Sequence, residues 1–370
     1  MEVECKVSGR RVSALSAGEV VGQIVVPDIS FHWGRGAFIP LAGIGGVGTD
    51  ERFRRAGIGS RMMKEAVRLA RECGYGGSAV STSTSNIARR LYSKGGYVHL
   101  FSMHQFSRQP QAEGDVPSCP GVSIRPYEGK DLSEVLALIR ETETPFFGSR
   151  EKTPERWVAT RARSNERVPA LAFVALRDGG IVGFADRFFH WDALTGEVFV
   201  RPGPEQFQVG EVLLAALEQA AGRLGEEGLC FWATDCEDFP VRLLRNRGYE
   251  LTRSRVFKFN IVSLQRFLVQ LGEVFRRRAA GLDASELPAS IELLCDGETE
   301  KLDPGGLGGR LVLQASREVV TNVVCGMYSA WDAYLRGVME VRPSVEPQVR
   351  RVLEALLPAV PFQHPVNDWW

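Results

Sequence analysis

An excess of charge of either sign is missing from this chain of 370 residues: 45 Lys and Arg offset 45 Asp and Glu, and there are only five His. Nothing in that balance favours a nucleic-acid or membrane partner, and the basic run from Arg52 to Arg61 is local. Cysteines are few and odd in number, seven, with no C-x-x-C pair, which speaks against a disulfide framework or a zinc site and fits a reducing compartment. His32, His99, His104, His190 and His364 are scattered, and none pairs with a carboxylate at a telling spacing, so no metal is expected. No long apolar run occurs, and "EVECKVSGRR" after Met1 lacks the core of a signal peptide and the length of a membrane span; a cytoplasmic location is the expectation.

What is present is an ordinary globular composition, 44% hydrophobic and 24% charged, over a length that suits two or three domains. Glycine is concentrated in "AGIGGVGTDERFRRAGIGSRMM", residues 42 to 63, where two patterns compete. Gly43-x-Gly45-x-x-Gly48 has the letters of a dinucleotide fingerprint, but a charged loop follows it, and the third glycine opens no helix. Arg54-x-x-Gly57-x-Gly59 directly precedes Ile58, Met62, Ala66, Leu69, Ala70 and Cys73, which follow helical spacing. An anion belongs there. Backbone N–H groups bare of Cβ, the positive end of a helix, and Arg52, Arg54 and Arg55 converge on it.

Residues 108–121, "RQPQAEGDVPSCPG", have the composition of a linker, and the same order of elements stands on both sides. On each side, strands lead to a helix, a buried-looking strand ("SAVSTS", "GLCFWATD") and a closing segment ("NIARRLYSKGGYVHLF", "DFPVRLLRNRGYELTRSRVF"). The second helix carries Val209, Val212, Leu213, Leu217, Ala220 and Leu224 on one face. Gly57 and Tyr97 stand 40 positions apart, Gly210 and Tyr249 39 apart, which reads as a tandem duplication.

The loop Arg54-Arg55-Ala56-Gly57-Ile58-Gly59, with Asn86-Ile87-Ala88-Arg89-Arg90-Leu91-Tyr92 and Gly96-Tyr97 beyond the next strand, resembles the acyl-CoA loop and Tyr-bearing segment of the GNAT superfamily of N-acetyltransferases. The second half resembles the same fold over 122–262 without the site: Phe207, Gly210 and Val212 stand against Arg54, Gly57 and Gly59, and Leu244 against Tyr92. Beyond it, Leu264, Phe267, Leu268, Leu271 and Phe275 form one helical face, followed by three strand-like and two helical segments whose order resembles the sterol carrier protein fold. Together these resemble the enhanced intracellular survival (Eis) family. The implied class is α/β (α+β): a catalytic domain over 1–107, a degenerate structural copy over 122–262, and a sterol-carrier-like α+β domain over 263–370.

The resemblance implies acetyl-CoA as acyl donor and a primary amine as acceptor, whether aminoglycoside-like, polyamine-like or lysine. It also implies a homo-oligomer, often a hexamer. The segment Arg54 to Ser60 would cradle the pyrophosphate, through Arg54, Arg55, Ala56, Gly57, Ile58, Gly59 and Ser60; Asn86 belongs to the second motif. Val47 and Thr49 match the strand whose N–H groups meet the thioester oxygen and pantetheine, while the glycines around them also fit a bulged strand. Tyr92 matches the proton donor; its other reading is a tyrosine packing the helix of Leu91. The terminal carboxylate of Trp370 matches a member of the proton path, against which stands an anchoring role for Trp369 and Trp370.

One departure concerns length. Roughly 85 residues separate Val122 from the degenerate loop but only 56 precede Gly57, so an opening strand and helix look missing from the first half. Either the start is shortened, or the acceptor pocket is built from other parts. Phe31, His32 and Trp33, read as a loop after the second strand, are candidates, with Phe31 and Trp33 as substrate-binding residues; surface aromatics are the plainer reading. A protein that binds CoA or lipid without catalysis is the competing function, which the intact Arg54, Gly57, Gly59 and Tyr92 argue against.

Overall fold

The computed structural model describes residues 3–34, 37–114, 117–165, 171–190, 193–234, 238–343 and 347–360. The first half opens with β1 (Glu4–Ser8), β2 (Arg11–Ser16) and β3 (Glu19–Val25), joined by tight turns with left-handed backbone at Gly9, Ala17 and Gly18. There follow β4 (Asp28–Trp33), β5 (Phe38–Gly43), β6 (Gly45–Thr49), α1 (Ile58–Glu72), β7 (Gly77–Ser83), α2 (Ala88–Lys94) and β8 (Val98–Arg108). The opening strand expected to be missing is present: β1 pairs antiparallel with β2 from Glu4↔Leu15 to Ser8↔Arg11. What residues 3–25 lack is any helix between the first two strands.

The second half contains β9 (Ser123–Pro126), α3 (Leu132–Glu143), β10 (Phe147–Arg150), α4 (Pro154–Asn165), β11 (Leu171–Arg177), β12 (Gly180–His190) and β13 (Ala193–Val200). It continues through α5 (Gln206–Arg223), β14 (Leu229–Thr234), α6 (Asp238–Asn246) and β15 (Glu250–Ile261). Here two helices do stand between the first strand and β11. The remainder holds α7 (Leu264–Ala279), β16 (Pro288–Cys295), β17 (Glu298–Leu302), β18 (Gly308–Ala315), α8 (Arg317–Val324), α9 (Ala330–Leu335), β19 (Met339–Arg342) and α10 (Pro347–Leu356). Its sheet has the order β17-β16-β18-β19, with β16 and β18 parallel. Ser263, Ser316 and Ser329 cap α7, α8 and α9 by accepting from backbone N–H groups three residues on.

Contacts divide the described residues into two compact units, one holding those up to Phe101 and those from Arg255 to Val360, the other running Ser102–Ser254. The units change chain inside strands because the two halves exchange their last strands. In the first unit, β15 pairs antiparallel with β7 from Arg255↔Ser83 to Ile261↔Gly77. In the second, β8 pairs with β14 from Met103↔Thr234 to Arg108↔Leu229.

The core of the first unit forms where α1 lays Ile58, Met62, Met63, Ala66 and Ala70 on Val12, Ala14, Val21 and Ile24, with Tyr92, Tyr97 and Val262 in the same cluster. The helical face predicted from spacing is the buried one, up to its last member: Cys73 is exposed because the helix has ended at Glu72. In the second unit Val209, Val212, Leu213 and Leu217 of α5 are likewise buried, whereas Leu224, beyond the helix end, is 58% exposed.

Candidate active site

The glycine-rich stretch is part of a strand that changes partners. β5 runs parallel to β7 through Ala42↔Ser78 and Gly43↔Ala79, and the Ile44 N–H still donates to the Ala79 carbonyl at 2.9 Å. From Gly45 onward the chain, now β6, pairs antiparallel with β3 instead. A bulge marks the change: Gly46 has a φ of 57°, and the register shifts between Gln23 and Val25. The two strands β6 and β7 thus part into a wedge. Asp50 N–H donates to Val21 O at 2.8 Å and Gly48 lies opposite Gln23, so the alternation of an antiparallel ladder turns the amides of Val47 and Thr49 to the other edge, away from β3. Those are the two positions the sequence singled out.

The loop between β6 and α1 is shaped for an anion. Arg55 and Gly57 both adopt left-handed backbone, with φ of 66° and 75°, and Gly57 is the N-cap of α1 without any side-chain cap. The first N–H groups of the helix therefore lack an intrahelical acceptor, and a Cβ built on Gly57 would meet nothing within 4 Å. Arg54 pairs with Glu51 at 2.9 Å and Arg52 with Asp50 at 2.9 Å, all four exposed enough to exchange carboxylate for phosphate. Arg55 is exposed and, among the described residues, forms no ion pair. Ile58 is 1% exposed, so its side chain belongs to the core and only its N–H faces the turn.

Gly59 has a second reason to be glycine: a Cβ there would lie 3.3 Å from Leu91 Cδ2, on the helix that carries Tyr92. Asn86 stands two residues before that helix, and its Oδ1 accepts from the N–H of Ala88, the first helical residue, at 2.9 Å. Tyr92 is 4% exposed, with its ring 6.2 Å from that of Tyr97, whose hydroxyl shares a 2.7 Å hydrogen bond with Ser78. Burial raises the Tyr92 phenol above its ordinary pKa, and the Arg255 guanidinium opposes that rise. The phenol is protonated at neutral pH, as a donor must be. Packing and donation are both open to it.

The structure relocates the other candidates. Phe31 and Trp33 stand on β4, not on a loop, and both are fully buried: Phe31 packs on Phe257 and Trp33 on Phe259 and Phe267, with Trp33 Nε1 donating to Val324 O at 2.9 Å. They are core aromatics and present no ring to an acceptor. His32 is buried as well. Trp370 lies outside the described residues. No motif pointed to Arg255, which donates to Ser81 Oγ at 3.1 Å, because its place beside the first half depends on the exchanged strand.

The second half shows the same framework without the site, in a register two residues different from that expected. A Cβ on Gly210 would approach Leu243 Cδ2 to 2.7 Å, so Gly210 stands to Leu243 as Gly59 does to Leu91. Gly74 and Gly225, and Gly96 and Gly248, are left-handed at matching helix ends. The partner of Gly59 is therefore Gly210, which puts Gln208 opposite Gly57 and Glu205 opposite Arg54. Glu205 stands at the N-cap position of α5 without a side-chain capping bond and pairs with Arg177. An acidic cap is the wrong sign for a phosphate.

A strand that leaves its neighbour, an uncapped glycine turn opening a helix at the same end, and a tyrosine on the following helix are the features of an acetyltransferase fold of the GNAT type. Residues 5–97 match the model of the acetyltransferase (GNAT) family. No curated protein matches significantly. Among solved structures, a GCN5-related N-acetyltransferase from Kribbella flavida is similar over 95% of this chain and 86% of its own, at 19% identity and a TM-score of 0.59. A conserved protein from Enterococcus faecalis V583 aligns over 96% and 87% at 14% identity and a TM-score of 0.62. Eis1 from Mycobacterium abscessus aligns over 97% and 90%, at 14% identity and a TM-score of 0.54. At such identities the likeness is one of fold. Among the described residues no group of three or more His, Cys, Asp or Glu is arranged to hold a metal, and no helix is long and apolar enough to cross a membrane.

Proposed function

We propose that this chain is an acetyl-CoA-dependent N-acetyltransferase whose first half carries the site. The observation that carries the reading is the convergence, in one compact unit, of the Arg54–Ser60 turn, the outward amides of Val47 and Thr49, and Tyr92. The open face over Gly57 and the guanidinium groups of Arg54 and Arg55 fit a diphosphate. In the reaction the amine nitrogen bonds to the thioester carbonyl carbon and the C–S bond breaks; the amine loses one proton and the departing thiolate takes one up. A backbone amide at Val47 or Thr49 stabilises the oxyanion, and Tyr92 supplies the thiolate's proton.

Acceptors of the aminoglycoside, polyamine or lysine-side-chain kind all present the amine this chemistry needs. The four-stranded sheet and helices after Leu264 are read as a sterol-carrier-like domain of an Eis-like architecture, a reading the extended alignment with Eis1 supports. The test is thiol release from acetyl-CoA against a panel of primary amines. Amine-dependent release is the expected result. Release with no amine in the panel, joined to a calorimetric titration without heat from CoA, would remove the proposal.

A further inference from the structure

The strand exchange places residues of the second half under the helix of Tyr92. Along β15, alternate side chains fall on one face, and Val256, Lys258 and Asn260 share the face beneath α2. Lys258 is 7% exposed, and its Nζ donates to Ser93 Oγ at 3.0 Å. Among the described residues no carboxylate forms an ion pair with it, and burial lowers its pKa. Asn260, 5% exposed, donates from Nδ2 to Gly95 O at 3.1 Å, and Gly96, with a φ of 88°, turns directly against the Asn260 amide. Ser93 and Gly95 follow Tyr92 by one and three residues.

Two physical arguments make these contacts more than packing. A helix of seven residues does not hold itself, so α2 is placed by what touches it. A buried ammonium that meets a hydroxyl and no carboxylate is costly, and a methionine of similar length would fill the space without that cost. The chain also contains its own control. β8 takes the place in the second unit that β15 takes in the first; Val80 lies in the core of α1 and Phe231 in that of α5, so the pairings Lys258↔Val80 and Phe106↔Phe231, Asn260↔Ser78 and Arg108↔Leu229 make Phe106 the counterpart of Lys258 and Arg108 that of Asn260. Arg108 donates to the Arg247 carbonyl at the end of α6 as Asn260 does to that of Gly95, whereas Phe106 is an apolar core residue with no donor to offer. Where the tyrosine is replaced by Leu244, the lysine is gone too, and the contact to the end of the helix is kept by an arginine.

We propose that Lys258 and Asn260, contributed by the second half, are positioning residues that seat α2 and hold Tyr92 in place for the transfer. The degenerate copy then has a part in the site it no longer carries. The catalytic side of this rests on the proposed N-acetyltransferase reading.

The experiment compares Lys258→Met, Ser93→Ala and the double variant in two ways: kcat and KM for acetyl-CoA, and amide hydrogen exchange over residues 88–97 and over α1. Lys258→Met is expected to lower kcat about tenfold with KM within about twofold, and to speed exchange in α2 but not in α1. Ser93→Ala, which also gives up the 3.1 Å bond from Ser93 Oγ to the Arg89 carbonyl, should do at least as much, and the double variant no more than Ser93→Ala alone, since the Lys258–Ser93 bond can be removed only once. Unchanged kcat and exchange overturn the proposal, as does a loss that spreads to α1 and adds up in the double variant. Ser93→Ala decides the question if Lys258→Met does not fold. If the unaltered protein transfers no acetyl group to any amine, the N-acetyltransferase reading fails by itself, and unchanged α2 exchange in the variants would still be needed to remove the seating of α2.

Discussion

Gly59 of α1 and Leu91 of α2 are locked in contact, with only 3.3 Å between Leu91 Cδ2 and the place a Cβ on Gly59 would occupy. Gly57, two residues earlier, has open space around its missing side chain but a φ of 75°. The pair of glycines in one short motif thus answers two demands, one from backbone conformation at the turn before α1 and one from helix packing.

The consequence is a separation of phenotypes. Gly57→Ala forces a side chain into left-handed backbone, at a cost of about 1–2 kcal/mol, and disturbs the N–H groups proposed to meet the diphosphate. Calorimetry is expected to show acetyl-CoA binding weakened about tenfold or more. Gly59→Ala presses on Leu91 instead, and is expected to alter kcat, through the placement of Tyr92, more than binding. Equal losses of affinity in both variants would contradict the division.

Tyr92→Phe removes the hydroxyl and keeps the packing. Turnover should fall about 10- to 100-fold while acetyl-CoA affinity stays within about twofold. Arg255→Met removes a positive charge that favours the phenolate, so the phenol should ionise at still higher pH than in the unaltered protein. Subtracting the phenolate absorbance of the Tyr92→Phe variant isolates the titration of this one residue, and the same subtraction made in the Arg255→Met background reads the shift. A shift towards lower pH would contradict the assignment.

Much of the candidate site's local structure was legible because its demands are local. The run from Arg54 to Gly59 signals a glycine turn before a helix, and period 3.6 from Ile58 to Ala70 gives the buried face, which the structure reproduces. Pairings between distant segments were not legible. Nothing in "SRVFKFNI" says that it will lie beside Ser83 rather than in its own half, so Arg255, Lys258 and Asn260 could not be connected with Tyr92. Trp33 was misplaced for the same reason: an aromatic run next to glycine reads as a loop, whereas β15 and α7 cover it from far along the chain. The two-residue error in matching Gly210 arose because residue spacing alone cannot tell a turn glycine from a packing glycine; Leu243 decides it.

The burial of Trp33 makes a prediction about stability rather than specificity. Trp33→Phe leaves the Val324 carbonyl without its 2.9 Å donor in the core, a loss of about 1–3 kcal/mol. Phe31→Ala opens a cavity beneath Phe257 and should cost about 3–5 kcal/mol. Denaturant unfolding should show both losses, while KM for the amine in folded protein stays unchanged. A raised KM at full stability would return these rings to the acceptor pocket.

Asp131 in the second unit gives a prediction about pH. Its carboxylate receives two hydrogen bonds from the Arg125 fork, at 2.6 and 2.8 Å, and one from Glu128 N–H at 2.8 Å. Arg125 first, and then that backbone donor, hold its pKa down to about 2 from the ordinary 3.8. A depressed acid contributes stability that is complete above the unfolded-state value and fades as pH falls towards the folded one. The window of loss therefore runs from about pH 4 down to about pH 2. Asp131→Asn keeps the shape but not the charge, so it should lower stability by about 1–2 kcal/mol at pH 7 and by little at pH 2. Urea unfolding at the two pH values measures this. Because the loop before α3 is what Asp131 ties down, the change should appear in the second unit's hydrogen exchange and leave that of α1 untouched. A difference between the proteins that persists unchanged at pH 2 would mean that the carboxylate's charge is not what stabilises the loop.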